Sequence, residues 1–306
     1  MSAHRRTPVA PWLITALSVL SVLGLVGAAA LTHPGDTAPE AALADIEVRA
    51  PASTPPADGP EDVVPAATGP DADTGEYRIA SLPRLDVWVV DHRLPVDDDP
   101  FGALSGLVAQ PLDPGAPVFA EPGEDPFAYL PRNQTYGGTT VPVIERHTHW
   151  VKVLLPGRQG VPPSGDAGQA AGWFRTADVE LRRNDSYVDV HLEDRTIDIV
   201  TAGGWERVAN DFSWGKTSTP TPTGRTFIML TKVEPRFAYT KGHPLVYLGV
   251  QSPAMAGFDG GEVAVTAFHY YKVRSGPNSF GCIYLDGPAT DRLAQLPAGT
   301  PVVIHP

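Results

Sequence analysis

The sequence predicts a mainly β protein, and three observations support this class. Glycine and proline together make up 63 of the 306 residues. Both residues disfavour helix interiors, which excludes a long helical bundle. From about residue 80, short runs rich in β-branched and aromatic residues are separated by glycine and proline turns, which is typical of strands. An apolar fraction of 42% suffices for a hydrophobic core, and the length allows about two domains.

The first 31 residues carry the features of an export signal. Arg5 and Arg6 precede an uncharged apolar run over 11–31. About twenty apolar residues can cross a bilayer as a helix, and basic residues before them favour a cytoplasmic N-terminus. The alanines at 28–30 also resemble a signal-peptidase site. We therefore expect residues 1–31 to be a signal peptide or a membrane anchor, with the rest of the chain exported to the cell wall or the outer face of the plasma membrane.

Residues 32–80 are expected to form a disordered linker rich in proline, alanine and acidic residues. Between 32 and 77, ten acidic residues accompany Arg49 as the only basic one. Such a segment buries too little apolar surface to offset its ordering entropy. It also carries most of the net charge of −12, so the folded remainder is nearly neutral. A nucleic-acid partner is excluded, because binding phosphates requires a basic surface.

Residues 81–182 contain the first group of predicted strands. The runs lie at 85–90, 117–120, 141–144, 150–154, 172–175 and 177–181. Short strands at this spacing suggest a small barrel. The order of Pro117-Val118-Phe119, Trp150-Val151-Lys152-Val153 and Gly172-Trp173-Phe174-Arg175 resembles a bacterial Src-homology-3-like domain over roughly 113–182. The resemblance implies packing against a neighbouring domain or binding of cell-wall peptide, and a spacer without a ligand is the alternative.

Metal binding is not expected from the sequence. His147 and His149 alternate on a predicted strand, so they share a face and could chelate an ion. No third ligand is evident nearby, and a solvated pair of histidines is the favoured interpretation. With Cys282 as the only cysteine, neither an internal disulfide nor a cysteine-based structural zinc site can form.

The last 120 or so residues hold the motifs that point to chemistry. The alternating run at 187–192 and the run at 196–200 predict a hairpin. The triplet Gly215-Lys216-Thr217 suggests a phosphate-binding loop, but that motif needs a glycine five positions before Gly215, where Asn210 stands. Nucleotide binding through this triplet is therefore excluded.

Cys282 is a candidate nucleophile from its surroundings alone. A free cysteine is usually a buried, inert hydrophobe, yet unpaired thiols are liabilities in an exported protein. Gly281 lets backbone N–H groups approach a substrate oxygen closely. His269 ends the apolar run at 263–269, thirteen positions earlier, and could act as the partner that a thiol of pKa about 8.5 requires. His269 could equally be a hydrogen-bonded core histidine.

Several landmarks follow one another in order through this region. They are Gly215-Lys216, Thr219-Pro220-Thr221-Pro222-Thr223-Gly224, His269 at a strand end, Ser279-Phe280-Gly281-Cys282, and the closing segment 293–304. This order resembles the catalytic domain of bacterial L,D-transpeptidases over 185–306. The resemblance implies an L,D-transpeptidase-like β-sandwich that follows the small barrel, cross-links peptidoglycan stem peptides through a cysteine acyl-enzyme, and requires no cofactor or metal.

The resemblance also implies roles for single residues. Cys282 would attack the carbonyl after the third stem residue, with His269 as general base and then acid. The backbone carbonyl of Tyr270 would orient the imidazole. Backbone N–H groups of Gly281 and Cys282 would stabilise the oxyanion. Substrate contacts are expected from Ser279, Phe280 and Tyr284.

The chain departs from the family pattern at three positions. Phe280 replaces a histidine and cannot donate a hydrogen bond, Tyr284 replaces an arginine or asparagine and lacks a fixed positive charge, and Tyr270 replaces a glycine. Two alternatives follow: a cell-wall protein that binds stem peptides without turnover, and an L,D-carboxypeptidase with water as acceptor. Ready alkylation of Cys282 at pH 7 would favour an enzyme.

The expected partners follow from the same interpretation. They are peptidoglycan stem peptides, acylating inhibitors of the carbapenem type, and the membrane if the N-terminal segment remains uncleaved.

Overall fold

The computed structural model describes residues 68–306. That part of the chain contains seventeen strands and one α-helix, which confirms the mainly β class. The predicted signal or anchor segment (1–31) and residues 32–67 of the predicted linker lie outside the described residues. None of the helices found in 68–306 has the length and apolar character needed to span a membrane.

The first seven strands form a five-stranded antiparallel sheet and a separate hairpin. They are β1 (Leu107–Pro111), β2 (Gly115–Val118), β3 (Ala128–Pro131), β4 (Val141–Arg146), β5 (Trp150–Leu155), β6 (Ala170–Arg175) and β7 (Val179–Arg183). The sheet has the order β6-β5-β4-β1-β7, and β2 pairs with β3. A 3-10 helix, Thr176–Asp178, precedes β7. The runs predicted at 141–144, 150–154 and 172–175 are confirmed, whereas β1 and β3 were not predicted.

The strand predicted at 85–90 is wrong. The N–H of Trp88 donates to the Asp86 carboxylate at 2.9 Å, and the N–H of Val89 donates to the Asp86 carbonyl at 3.2 Å. A short polar side chain that bonds to nearby backbone competes with strand pairing, so Asp86 folds this segment into a turn. Leu85 and Val87 are nevertheless buried in the core, which explains the misleading apolar alternation.

Residues 71–77, within the segment predicted as a disordered linker (32–80), contact the first sheet. The indole N–H of Trp150 donates to the Asp71 carbonyl at 2.9 Å. Arg175 donates to the Gly75 carbonyl at 2.7 Å. Tyr77 packs edge-on against Phe119, with ring centroids 5.6 Å apart. These contacts join residues on either side of position 80, and composition alone does not reveal them.

The other ten strands form one hydrogen-bonded sheet in the order β10-β9-β8-β17-β12-β13-β14-β16-β11-β15. They are β8 (Tyr187–His191), β9 (Thr196–Thr201), β10 (Gly204–Ala209), β11 (Ser213–Gly215), β12 (Gly224–Lys232), β13 (Leu245–Gln251), β14 (Val265–Tyr270), β15 (Gly276–Ser279), β16 (Ile283–Leu285) and β17 (Pro301–His305). Helix α1 (Gly287–Leu293) follows β16. The predicted hairpin is confirmed as β8 and β9.

Strand β12 belongs to both halves of this sheet. Its first residues pair with β17 and its last residues pair with β13. Side chains of the two halves, among them Val188, Ile197, Val246 and Phe268, share one buried cluster. The halves therefore pack face to face, as expected of a β-sandwich.

The two groups of strands also share a core. Phe227 and Met229 of β12 belong to the same buried cluster as Val153 of β5. Arg225 forms a buried ion pair with Asp97 through two hydrogen bonds of 2.7 and 2.9 Å. These contacts join the two groups of strands, and residues 68–306 fall within one compact unit.

Candidate active site

Cys282 lies in a tight turn between β15 and β16 that is organised by Ser279. The Ser279 hydroxyl accepts a hydrogen bond from the N–H of Gly281 (3.1 Å) and donates one to the carbonyl of Cys282 (2.5 Å). Gly281 has a φ of 109°, which disfavours any residue with a Cβ. The Ser279 side chain is fully buried. Its hydroxyl shapes the turn, and the substrate contact expected for Ser279 stays a prediction.

The oxyanion site expected at Gly281 and Cys282 is changed by the same turn. Because the N–H of Gly281 donates to Ser279, this hydrogen is directed at the turn and not at a substrate oxygen. An oxyanion role for the N–H groups of Gly281 and Cys282 stays a prediction.

The Thr-Pro-Thr-Pro stretch (219–222) is hydrogen-bonded to the turn that holds Cys282, which is called the cysteine turn below. Thr221 is buried; its hydroxyl donates to the Gly281 carbonyl and accepts from the Gly215 N–H, both at 2.9 Å. Thr219 donates to the Ser279 carbonyl at 3.2 Å. The contacts to Gly281 and Ser279 join residues sixty positions apart. They give a physical reason for a motif that sequence reasoning had identified only by resemblance.

Replacing Thr221 by valine is expected to lower the free energy of unfolding by about 1–3 kcal/mol. Valine keeps the shape of threonine but leaves the Gly281 carbonyl and the Gly215 N–H without this partner. Urea unfolding of the full-length chain measures the difference. Thr221→Ser keeps the hydroxyl and is the control, which should retain most of the stability. An unchanged midpoint in the valine variant would contradict a supporting role.

His269 is buried on β14 with its ring fixed by the neighbouring backbone. Nδ1 lies 3.0 Å from the carbonyl oxygen of Tyr270. A carbonyl only accepts hydrogen bonds, so Nδ1 carries the proton and the lone pair of the neutral ring resides on Nε2. Burial lowers the pKa of His269, against a smaller opposite effect of the Tyr270 carbonyl. The imidazole is thus held in the tautomer that a general base requires.

Cys282 and His269 line one cavity of about 500 Å³. His269 lies on β14, and Cys282 lies in the turn just before β16, the strand that pairs with β14 in parallel. Burial raises the pKa of the Cys282 thiol to about 11, although the Ala267 backbone opposes this effect. At pH 7 the free site therefore holds a neutral thiol and a neutral imidazole.

Alkylation of Cys282 by iodoacetamide is expected to be slow at pH 7 and to accelerate up to about pH 11. The thiolate is the reacting form. A pKa raised from 9.0 to about 11 leaves roughly a hundredfold less thiolate at pH 7, at about tenfold per pKa unit. Slow alkylation at pH 7 is the opposite of the ready alkylation that, from the sequence alone, would favour an enzyme. Mass spectrometry of the full-length chain, with free cysteine as reference, gives the rates, and a plateau below pH 9 would contradict the effect of burial.

Two tyrosines contact the imidazole, and a third packs against both of them. The rings of Tyr284 and Tyr239 lie 4.8 and 5.5 Å from that of His269, and Tyr271 lies 4.6 Å from Tyr284. Burial raises the pKa of Tyr239 and of Tyr284 to about 12, so both are neutral phenols at pH 7. Sequence reasoning missed Tyr239, which sits in the 3-10 helix Ala238–Thr240 outside any motif.

Phe280 lies at the mouth of the cavity and is 48% exposed. The ammonium of Lys216 lies 4.2 Å from its ring centroid, close enough for a cation–π contact, and the ring of Phe258 is 6.1 Å away. Phe280, which is expected to contact substrate, thus presents an exposed apolar ring with the Lys216 ammonium beside it.

The rim of the cavity is anchored by a side chain of the first group of strands. Arg158 is fully buried and donates from Nη2 to the carbonyls of Ala256 and Glu262, at 2.7 and 3.0 Å. Both carbonyls belong to the segment between β13 and β14, which lines the cavity. The first sheet therefore helps to position the site.

His147 and His149 are not paired with each other. Nε2 of His147 lies 2.6 Å from a carboxylate oxygen of Glu145, and its ring stacks on Trp173. His149 is exposed. The favoured interpretation, a solvated pair, holds for His149 only, because the side chain of His147 is 16% exposed and packs between Glu145 and Trp173.

Comparisons with known proteins concern mainly the second group of strands. The family model YkuD, the L,D-transpeptidase catalytic domain, matches residues 185–304. No curated protein matches this chain. Solved structures that are similar include the catalytic domain of an E. faecium L,D-transpeptidase (20% identity, 39% of this chain and 96% of that chain, TM-score 0.27).

Two further similar structures cover more of the chain. An L,D-transpeptidase from Mycobacterium smegmatis is 15% identical, covering 52% of this chain and 91% of that chain with a TM-score of 0.30. LD transpeptidase LdtMt1, solved in complex with imipenem, is 14% identical, covering 51% and 91% with a TM-score of 0.32. Residues 185–304 are therefore similar to the L,D-transpeptidase catalytic domain.

Proposed function

We propose that this chain is an exported peptidoglycan L,D-transpeptidase that works through a thioester on Cys282. The single observation that carries the proposal is the placement of Cys282 and His269 in one cavity, within the residues that match the L,D-transpeptidase catalytic domain. The hydrogen bond from His269 to the Tyr270 carbonyl supports a role as base, because it leaves Nε2 ready to accept a proton.

The reaction begins with a proton transfer coupled to attack. Nε2 of His269 takes the proton of Cys282 as the sulfur bonds to the carbonyl carbon after the third stem residue. The N–H of Cys282 stabilises the oxyanion. The C–N bond then breaks, His269 returns the proton to the departing amine, and D-alanine leaves. The product of this half-reaction is a thioester.

The second half-reaction transfers the acyl group. A side-chain amine of another stem peptide attacks the thioester carbonyl, and His269 takes a proton from that amine. The C–S bond breaks, the sulfur regains a proton, and a cross-link between two third residues remains. The thioester conserves the energy of the cleaved amide bond, so the reaction as written uses neither a nucleotide nor a metal.

We also propose that residues 81–182 form a bacterial Src-homology-3-like domain. The strand order β6-β5-β4-β1-β7, the separate β2–β3 hairpin and the 3-10 helix before β7 support this. Its contact with the cavity rim through Arg158 favours packing against the catalytic domain over a role as a spacer.

A catalytically impaired wall-binding protein is the second candidate. Two observations favour it: the raised pKa of the Cys282 thiol and the apolar ring of Phe280 at the mouth of the cavity. Such a protein would bind stem peptides in the aromatic cavity without releasing D-alanine.

A stem-peptide reaction separates these candidates. The full-length chain is incubated with a purified disaccharide-tetrapeptide, and intact protein and products are followed by mass spectrometry. A thioester and D-alanine release, both absent in Cys282→Ala, are expected. Cross-linked dimers identify the transpeptidase, and tripeptides alone identify the carboxypeptidase. Binding of the tetrapeptide without any adduct, for every stem composition, would overturn the proposal and favour the wall-binding protein.

Two further measurements sharpen the result. Phe280→His tests whether the lost hydrogen-bond donor limits the rate, and a faster acylation in this variant is expected. Imipenem, the ligand named for the similar LdtMt1 structure, is expected to add covalently to Cys282 and not to the Cys282→Ala variant.

A further inference from the structure

Three side chains with metal-ligating atoms meet on β8 and β17, outside the Cys282 cavity. Asp189 and His191 are two positions apart on β8, so both point to the same face of the sheet. His305, the last residue of β17, lies opposite His191 in the parallel pairing of the two strands. None of the three lines the cavity.

The distances among these side chains suit a single small ion. Nε2 of His191 lies 3.3 Å from one carboxylate oxygen of Asp189, and Nε2 of His305 lies 3.0 Å from the other. The three ligand atoms all fall within 4.8 Å of one another. Tetrahedral Zn²⁺, with bonds of about 2.0–2.1 Å, separates its ligand atoms by roughly 3.3 Å.

A second observation also points to a cation. The Oδ1 oxygen of Asp189 is buried and has no hydrogen-bond partner, because its contact with His305 lacks the geometry of a hydrogen bond. A buried carboxylate oxygen without a partner is costly, and a bound cation would compensate its charge. The imidazoles of His191 and His305 stack at 4.5 Å, and Phe101 stacks on His305 at 5.6 Å. These contacts hold the rings in place.

We propose that Asp189, His191 and His305 bind one divalent transition-metal ion, for which Zn²⁺ is the probe. Two imidazoles and one carboxylate are a ligand set that Zn²⁺ favours, with water completing the coordination. The side chains are 22–37% exposed, so an ion can reach them from solvent. The ion joins β17, at the end of the described chain, to β8, and its effect is on the stability of the sandwich and not on the chemistry at Cys282.

The test is Zn²⁺ titration of the full-length chain after removal of metals with a chelator. Calorimetry is expected to show one bound Zn²⁺ per chain and to give the same result in Cys282→Ser, which removes the only thiol. His191→Ala and His305→Ala are expected to weaken binding at least tenfold. Asp189→Asn keeps the size of the side chain and should also weaken binding. His149→Ala, at an exposed histidine outside the cluster, is the matched control and should bind normally.

A spectroscopic readout and a thermal one complete the test. Co²⁺ bound to the full-length chain is expected to show a tetrahedral spectrum without a thiolate charge-transfer band. Zn²⁺ is expected to raise the melting temperature of the wild-type chain but not that of Asp189→Asn. The proposal is overturned if no Zn²⁺ binds, if Asp189→Asn binds as tightly as the wild type, or if Cys282→Ser abolishes uptake. These readouts keep the test decisive even where an alanine variant fails to fold.

Discussion

At pH 7, His269→Gln is expected to form the thioester at Cys282 about 10²–10⁴-fold more slowly than the unaltered chain. Burial raises the pKa of the thiol to about 11, so almost no thiolate exists at this pH, and the proposed mechanism passes the proton to Nε2 during attack. Glutamine fills a similar volume and can still donate to the Tyr270 carbonyl, but it has no basic nitrogen. The loss therefore reports general-base catalysis more than a change in packing.

Single-turnover reactions with the disaccharide-tetrapeptide, stopped by acid and analysed by mass spectrometry, measure this effect. The exposed His149 supplies the control His149→Gln, which should react at the wild-type rate. Burial lowers the pKa of His269 from its usual 6.5, and only the neutral ring accepts a proton. The wild-type rate should therefore fall on acidification only below about pH 6.5. The variant should instead gain rate with rising pH as the thiol ionises, and equal rates in both chains would exclude His269 as the base.

Arg225→Met is expected to lower the free energy of unfolding by about 3–5 kcal/mol, because it leaves the buried Asp97 carboxylate without its countercharge. The two side chains are 6% and 1% exposed, and Arg225 also donates to the Ala103 carbonyl at 3.1 Å. Guanidinium unfolding of the full-length chain measures the loss.

An exposed ion pair serves as the control for this prediction. Arg292 contacts Glu206 with comparable geometry on the surface, and Arg292→Met should cost less than about 1 kcal/mol. The double variant Asp97→Leu with Arg225→Met removes both charges and is expected to recover much of the stability. A loss as small as that of Arg292→Met would show that water reaches the Arg225 pair.

Predictions from the sequence succeeded where local pattern decides the outcome. The alternating hairpin of β8 and β9 and the apolar run that becomes β14 are consequences of side-chain periodicity. Prediction failed at 85–90, where the Asp86 side chain forms a turn within an apolar alternation. The ordered landmarks identified Cys282 and His269, which the structure places in one cavity.

Tertiary contacts decide the remaining features of the site, and they are not visible in local sequence. The role of Ser279 depends on burial and on two hydrogen bonds within the cysteine turn. The raised pKa of the thiol follows from desolvation by the surrounding walls. Tyr239 reaches His269 from a short 3-10 helix outside any motif. His305 reaches His191 only because β17 pairs with β8 across more than a hundred residues.

The position of β12 has a consequence for how the protein can be divided. This strand pairs with β17 in one half of the sandwich and with β13 in the other. Its side chains Phe227, Met229 and Arg225 contact the first group of strands and the segment before it. A chain shortened to 185–306 would expose two apolar side chains and an unpaired guanidinium along its central strand. The family boundary near residue 185 therefore does not mark a place where the molecule can be cut. We expect heat to unfold both groups of strands in one cooperative step.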